Sequence, residues 1–336
     1  MRAVVYSENG PSSVLHLVEL PDPEPGPGEV VVRVVRAGVN PTDWKFRAGV
    51  SPKQHDVVSP GQDGAGVVES VGEGVVHVAP GDRVWLRMAQ HGRAVGTAAE
   101  LTLQPADHVV PLPDEASFDL GASLGVPALT AHRALTLDGE SLGAGSMSGR
   151  SVLVQGGAGA VGNAAIQLAT WAGATVLTTV SSDAKGDLAR AAGARHVVDY
   201  TRDDVAARVR EVAPDGVDLV VEVAPATNLA LDLDVVRNAG TIAYYANNGG
   251  DEATLPLRPS FSKNVRLQGI LLYTAPADRL RVGADEVSAA VAAGALRVGE
   301  EAGVPLHHYP LSETAAAHDA VEGGAVGKVL VDIAGA

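Results

Sequence analysis

Between Ser151 and Ser182 no residue carries a charge, and a cluster of glycines splits the stretch into an apolar run and a helix-forming run. On length alone such a stretch crosses a bilayer. Gly156-Gly157 and Gly159 interrupt it, however, and Gln155, Asn163 and Gln167 are spread through it. A parallel strand, a turn and a helix buried together account for the whole pattern without a membrane. The stretch therefore predicts the first βαβ unit of a soluble α/β domain.

The flanking sequence extends the series. Five apolar runs, SVLVQ, ATVLTTV, ARHVVDY, VDLVVEVA and GTIAYYA, begin at Ser151, Ala174, Ala194, Val217 and Gly240. Helices are expected between them at Asn163–Ala172, Ala184–Ala192, Asp204–Val212 and Leu229–Arg237. Continuous apolar strands alternating with helices imply a parallel sheet covered on both faces. A sixth run, Arg266–Tyr273, completes the strand count of a doubly wound dinucleotide fold.

The preceding residues follow another grammar. Arg2–Tyr6 and Glu29–Val35 are β-branched runs separated by the turn-forming PDPEPGPGE, Pro21–Glu29. Further short strands fit Gly66–Val71, Asp82–Leu86, Ala98–Leu103 and His108–Val110, which predicts a partly open, barrel-like β domain. The tail beyond about Val298, with Pro305, Pro310 and a last apolar run Lys328–Ile333, reads as a return to that domain. The expected division is residues 1–125 with 296–336 in one domain and 126–295 in the other, matching the prior of roughly two domains for this length.

Directly after SVLVQ, Gly157-Ala158-Gly159-Ala160-Val161-Gly162 fits G-x-G-x-x-G. The first glycine turns the chain, the second lets backbone N–H groups approach a pyrophosphate, and the third lets helix pack close to strand. The helix N-terminus behind them favours negative charge. The motif stands between a predicted strand and helix, as dinucleotide binding requires.

The end of the second strand separates NAD from NADP. An acidic residue about 20 positions after the motif would grip a ribose 2′-hydroxyl. The strand ends instead on Thr178-Thr179-Val180-Ser181-Ser182, with Asp183 and Lys185 beyond. Hydroxyls and a lysine suit a 2′-phosphate, whereas a tip carboxylate would repel it. Asp183 as a helix cap with Lys185 solvated is the plainer alternative. Both leave the tip free of acid, so NADP(H) is the expected cofactor.

Composition acts mainly by exclusion. There is no cysteine, which removes disulfides, thiol nucleophiles, iron–sulfur clusters and thiolate zinc sites. That absence fits a reducing cytoplasm, and MRAVVYSENG shows no secretory pattern. Forty acidic against 25 basic residues give a net charge of −15, which disfavours nucleic acid and anionic lipid as partners.

The sequence resembles the zeta-crystallin type of quinone oxidoreductase, in the zinc-independent branch of the medium-chain dehydrogenase/reductases. The resemblance runs over nearly the whole chain. It is carried by AGVNPTDWKFRAG (Ala37–Gly49), GQDGAGVVESVGEGVVHVAPGDRV (Gly61–Val84) and GVPALTAHRAL (Gly125–Leu135), with the glycine turn, EVAPATNL (Glu222–Leu229) and GAVGKVL (Gly324–Leu330). It implies a GroES-like β-barrel-type catalytic domain joined to a Rossmann domain, dimers or tetramers, and NADPH-dependent reduction of quinones. By position it implies cofactor contacts from Gly157, Ala158, Gly159, Ala160 and Val161, then Ser181, Ser182, Lys185, Tyr200 and Asn228. Tyr245, Ala246, Asn247, Leu271, Leu272, Tyr273 and Lys328 complete that set, with Lys328 reaching the 2′-phosphate. Asn40, Lys45 and Gln62 would face the nicotinamide or substrate.

The sequence departs from the family at two places where a tyrosine is often seen, Lys45 and His132. His132 is expected to be packed or solvated rather than catalytic. Zinc-dependent relatives place a Cys near Asn40–Asp43 and a His-Glu where Gln62-Asp63 stands; this chain has neither. His307-His308 would point to opposite faces of a strand and suits no single metal.

Quinone reduction needs no metal, because the acceptor ring is already electrophilic and a hydride requires mainly stacking and alignment. Asn40 and Gln62 would hydrogen-bond the acceptor carbonyl as charge develops, although ordinary loop-to-backbone bonding is an equal expectation for Asn40 before Pro41. Reduction of the C=C bond of alkenals or enones is the nearest rival, with Tyr273 or Tyr245 as proton donor. A non-catalytic, crystallin-like or RNA-binding protein is the alternative of another class, and the acidic surplus weighs against RNA. Leu267–Tyr273 is expected at the sheet edge, where unpaired backbone invites a symmetric partner.

Overall fold

The computed structural model describes residues 1–333, and the chain forms two compact units, Met1–Val126 with the chain from Pro305 on, and Pro127–Val304. The first unit opens with β1 (Arg2–Val5) and β2 (His16–Glu19), an antiparallel pair. Next come β3 (Glu29–Val39), α1 (Pro41–Ala48), β4 (Asp63–Val71), β5 (Arg83–Leu86), β6 (Leu101–Pro105), β7 (Val109–Pro111) and the short α2 (Phe118–Gly121).

β3 is the spine of this unit. Its valines alternate between two buried faces, and it pairs antiparallel with both β4 and β6. α1 follows at once because Pro41 occupies the first helical position, where its missing N–H is harmless.

In the second unit, α3 (Leu129–Leu135) leads into β8 (Ser151–Val154), α4 (Ala160–Trp171), β9 (Thr175–Val180), α5 (Asp183–Ala191), β10 (His196–Asp199) and α6 (Val205–Val212). The series continues with β11 (Val217–Glu222), α7 (Pro225–Val235), β12 (Val236–Tyr244), α8 (Leu257–Ser262), β13 (Arg266–Gly269) and α9 (Ala277–Ala292). The sheet is parallel throughout, in the order β10-β9-β8-β11-β12-β13. That is the doubly wound order, with the switch of direction at β8. Leu153, Leu177, Val220 and Ile242 lie under α6 and α7 in a core sealed from water.

Two elements differ from expectation. β12 begins at Val236, before Gly240, because Ala239 adopts a φ of 57° and the register shifts between Val217 and Leu219, so Val236 pairs before the bulge. The sixth strand stops at Gly269; Leu272–Thr274 form a single 3-10 turn ahead of Pro276.

The chain returns to the first unit at Pro305, not near residue 296. Residues 296–304 stay with the second unit because α4 captures them. Gln167 on α4 accepts the Arg297 N–H and donates to its carbonyl, and Asn163 donates to the Ala302 carbonyl at 2.9 Å.

The returning chain adds β14 (Leu306–Pro310), α10 (Thr314–Glu322) and β15 (Lys328–Asp332). β15 pairs parallel with β14 and antiparallel with β3, giving the path β14-β15-β3-β4-β5-β7. Its register sets Val329 opposite Val39, so Lys328 arrives beside the end of β3. No helix among the described residues is long and apolar enough to cross a membrane. Truncating Leu153, which is wholly buried, is expected to destabilise the second unit by about 2–5 kcal/mol. The shift in its denaturant midpoint for Leu153→Ala measures this.

Candidate functional site

The glycine turn leaves β8 and enters α4 as expected. A Cβ on Gly157 would fall 2.1 Å from Thr178 Oγ1, and one on Gly162 would fall 2.4 Å from the Gly156 carbonyl. These glycines keep strand, turn and helix close. At Gly159 the nearest atom to such a Cβ is the Gly156 carbonyl at 3.5 Å, so its outer side stays open. Gly159 is also the N-cap of α4 and offers no side chain to the first-turn N–H groups. An uncapped helix start behind an open glycine is a cradle for a phosphate.

The tip of β9 carries the next group. Lys185 Nζ donates to Ser181 Oγ at 3.0 Å, and Ser182, not Asp183, caps α5 by accepting the Lys185 backbone N–H. Asp183 is instead paired with Arg202 at 2.6 Å. The half-buried tip thus presents two hydroxyls and an ammonium, with the nearest carboxylate already neutralised. The Tyr200 N–H bonds the Val180 carbonyl, which brings the exposed Tyr200 ring alongside.

Glu222, Asn228 and the segment after β12 form a third group. Wholly buried Glu222 accepts from the Ala224 N–H and from Asn228 Nδ2. The Tyr245 N–H bonds the Glu222 carbonyl, so Tyr245, Ala246 and Asn247 lie against the end of β11. Burial and the Glu222 charge push the Tyr245 hydroxyl well above the usual phenol range. Beyond β13, Leu271 is exposed, Leu272 buried and Tyr273 half-buried. Since all six strands run parallel, these groups share the carboxyl-end rim of the sheet, where doubly wound folds bind ligands.

The three acceptor-facing candidates and Lys328 all lie in the first unit. Asn40 caps α1, its backbone N–H donating to Asp43 Oδ2 at 2.7 Å. Its side chain is buried and engaged at both ends: Oδ1 accepts from Lys328 Nζ at 2.8 Å, and Nδ2 donates to Asp63 Oδ2 at 2.7 Å. Lys328 also pairs with Asp63 at 3.0 Å, and the other Asp63 oxygen accepts the Val126 N–H at 2.7 Å. A Cβ on Gly125 would lie 2.2 Å from that oxygen, so only glycine lets the chain approach the carboxylate.

The Asp43 carboxyl is pushed up to about 7 by burial and by the Asp63 charge. Its two oxygens accept the Asn40 and Gln62 backbone N–H groups and so tie α1 to the loop before β4. Gln62 is wholly buried and donates to Gln90 Oε1 at 3.0 Å, while its own Oε1 has no donor among the described residues. Lys45 is half-buried, its ammonium 5.9 Å from the centre of the Trp44 ring.

One expectation is corrected here. Lys328 does not stand ready for a 2′-phosphate, because its charge is neutralised by Asp63 in a site with almost no water access. His132 is a packed core residue, buried between α3 and α9 with Nε2 2.6 Å from Glu286. His307 bonds the Val326 carbonyl and His308 turns to Asp332 on the other face of β14.

Two known domain descriptions match the chain, the alcohol dehydrogenase GroES-like domain over residues 26–114 and the zinc-binding dehydrogenase over residues 160–295. A quinone oxidoreductase of Lama guanicoe is 33% identical over 341 residues, spanning 98% of this chain and 97% of its own. The chain belongs to the quinone oxidoreductase family of medium-chain dehydrogenases/reductases.

Its two units are accordingly a GroES-like domain and a Rossmann domain, and it is an oxidoreductase. A 2-haloacrylate reductase of a Burkholderia species is 31% identical over 95% of this chain and 94% of its own. Among solved structures, a mycobacterial protein complexed with NADPH superposes with a TM-score of 0.83 at 32% identity, covering 99% of this chain and 100% of its own. An NAD-dependent alcohol dehydrogenase does so at 0.88 and 32%, with the same coverage.

The residues present do not fit the zinc of the second domain's description. Asp63 accepts from an ammonium, an amide and a backbone N–H, and Asn40 and Gln62 bring neutral carboxamides. An ammonium beside the carboxylate repels a dication, and the donor types are not those that hold zinc. Among the described residues no cluster of three or more His, Asp or Glu could hold a metal ion.

The sequence reading missed Asp43 and Asp63 as partners and the buried acid Glu222. The signals were there: a carboxylate next to Gln62, and one closing the apolar run Leu219–Val221 of a strand. Lys328→Met leaves the Asp63 charge buried without a partner and is expected to destabilise the first unit by about 3–5 kcal/mol. The double variant D63N/K328M should regain part of that loss, which thermal unfolding of both variants would show.

Proposed function

We propose that the protein is an NADPH-dependent reductase of quinones that works without a metal. The observation that carries the cofactor half is the acid-free tip of β9, where Lys185 and Ser181 are already in contact and Asp183 is paired away with Arg202. A dianionic 2′-phosphate gains charge-assisted hydrogen bonds there. The glycine cradle and the first turn of α4 would hold the pyrophosphate, and Tyr200, Asn228, Tyr245–Asn247 and Leu271–Tyr273 would line the rest of the rim. Held there, the dinucleotide would supply a hydride from nicotinamide C4.

The acceptor half rests on what Asn40, Lys45 and Gln62 can do. Asp63 cannot act as a base while Lys328 and Asn40 hold it, and no Lewis acid fits beside it. An alcohol would need one or the other to lose its proton. A quinone does not, since its carbonyls accept charge directly and one amide N–H left on Asn40 or Gln62 is enough to orient them. The NADPH-complexed mycobacterial neighbour supports the cofactor, and the quinone oxidoreductase relatives support the acceptor.

A second reading has its own support. The 2-haloacrylate reductase relative acts, by its name, on an activated alkene acid derivative. Alkene reduction needs a proton for the carbanion, and Tyr245 is a poor source because its hydroxyl is held above the ordinary phenol range. NADPH oxidation measured with a quinone panel and with enals or enones decides between the two. Turnover of quinones alone, unaffected by chelators, is the expected result; preference for the alkenes would favour the second reading, and no turnover of either would sink both.

Lys185→Ala is expected to weaken NADPH by roughly 10–100-fold, the worth of a charged hydrogen bond, and to leave NADH nearly unchanged. Titration of both cofactors by fluorescence checks it, and equal losses would remove Lys185 from the phosphate site. We also propose a homodimer through the edge strand β13, where Leu257, Phe261, Leu267 and Leu271 are exposed together with unpaired backbone. Light scattering at twice the chain mass is expected, and a monomer would exclude this contact.

A further inference from the structure

Beneath the rim of the Rossmann unit, a line of buried polar side chains crosses from the glycine turn to Asn228. The Gly156 N–H donates to Thr179 Oγ1 at 3.3 Å, and Thr179 donates in turn to Gln155 Oε1 at 2.6 Å. Gln155 Nε2 donates to Asp232 Oδ1 at 3.0 Å. At the far end, Glu222 Oε1 accepts from the Ala224 N–H and from Asn228 Nδ2. Thr179, Gln155, Asp232 and Glu222 are all at least nine-tenths buried.

The line closes only through the two carboxyls. Among the described residues, Glu222 Oε2 and Asp232 Oδ2 are both buried and receive a hydrogen bond from no other group, and the Glu222 carboxyl is a side-chain hydrogen-bond partner of Asp232. Two ionised carboxylates here would be adjacent acceptors with no donor between them. Like charges so placed, out of water, cannot both persist.

We propose that Glu222 and Asp232 share one proton, and that this proton makes Asp232 a positioning residue for the cofactor site, holding Asn228 at one end of the line and the glycine turn at the other. With the proton present, Glu222 and Asp232 are joined and α7 is drawn onto β11. Without it they repel, and Asn228 and Gln155 lose their fixed partners. The inference concerning the cofactor rests on the NADPH reading above.

The surroundings agree. Burial and the Glu222 charge push the Asp232 carboxyl up to about 9, opposed only by the Gln155 hydrogen bond. Tyr245, from the segment after β12, faces Glu222 and is itself held protonated. α6 and α8, which also pack on α7, bring no charge to bear on Asp232. In the unfolded chain Asp232 has an ordinary carboxyl pKa of about 4. Between that value and about 9, the folded chain therefore holds one proton more than the unfolded chain. Stability must then fall as pH rises through this window and level off above it.

The test compares the full chain with Asp232→Asn, whose amide donates to Glu222 at every pH, and with Asp232→Leu, which cannot donate. Thermal melts without cofactor should show Asp232→Asn gaining on the parent from pH 6 to about 9 and no further. A gap independent of pH would overturn the shared proton. NADPH titrated by fluorescence from pH 7 to 10.5 should bind the parent evenly below about 9 and then weaken toward tenfold per pH unit. Asp232→Asn should lack that added limb and Asp232→Leu should bind poorly throughout. Asp232→Asn keeps every other group of the rim, so a limb common to it and the parent does not come from the acid pair. Matching pH profiles for the parent and Asp232→Asn, or unimpaired binding by Asp232→Leu, would overturn the positioning role. Failure of all three to bind NADPH at pH 7 would overturn the cofactor reading and the coupling with it, while the melts would still decide the proton.

Discussion

An ammonium removed from water keeps its charge only if other acceptors take the place of the solvent, and Lys328 meets that demand with Asp63 and Asn40. Burying three polar side chains together is unfavourable unless each finds its partner. Here the three partners come from β4, from the cap of α1 and from β15, which the chain reaches only after the whole second unit has been made. The pairing of β15 with β3 and this ion pair therefore support one another. Together they make the Asp63 carboxylate a fixed support for Asn40 in place of a base or metal ligand.

A different constraint organises the Rossmann unit. Strand, turn and helix approach so closely at Gly157 and Gly162 that no side chain fits. The same approach leaves N–H groups at the mouth of α4 without an internal partner. Buried beneath it is not an apolar filler but Thr179, Gln155, Asp232 and Glu222. Polar groups in that position are tolerable only when every member is satisfied, and satisfaction here requires a proton between two acids. The rim thus combines a half-buried cationic tip at Ser181 and Lys185 with a buried acidic pair that carries one negative charge instead of two.

Much of this was legible in the order of residues. Apolar runs of strand length separated by amphipathic segments can bury their surfaces in few ways, so the parallel sheet followed from the pattern around Ser151–Ser182. Ser181 and Lys185 were also readable, because they sit at a fixed distance along the chain from the glycine turn and contact each other locally. Less readable were the ends of elements. Ala239 in a left-handed conformation and the 3-10 turn at Leu272 depend on pairing partners far away in sequence.

The sequence by itself determined the fold class, the site of the glycine cradle and the absence of thiolate chemistry, since each depends on local pattern or on composition. Only the tertiary structure decided which charges meet. Lys328 reads as a free cation in the sequence and is the buried partner of Asp63 in the structure; Glu222 and Asp232 read as a strand end and a helix residue and prove to face one another. Electrostatic energy depends on distance and burial in space, and neither can be read from separation along the chain.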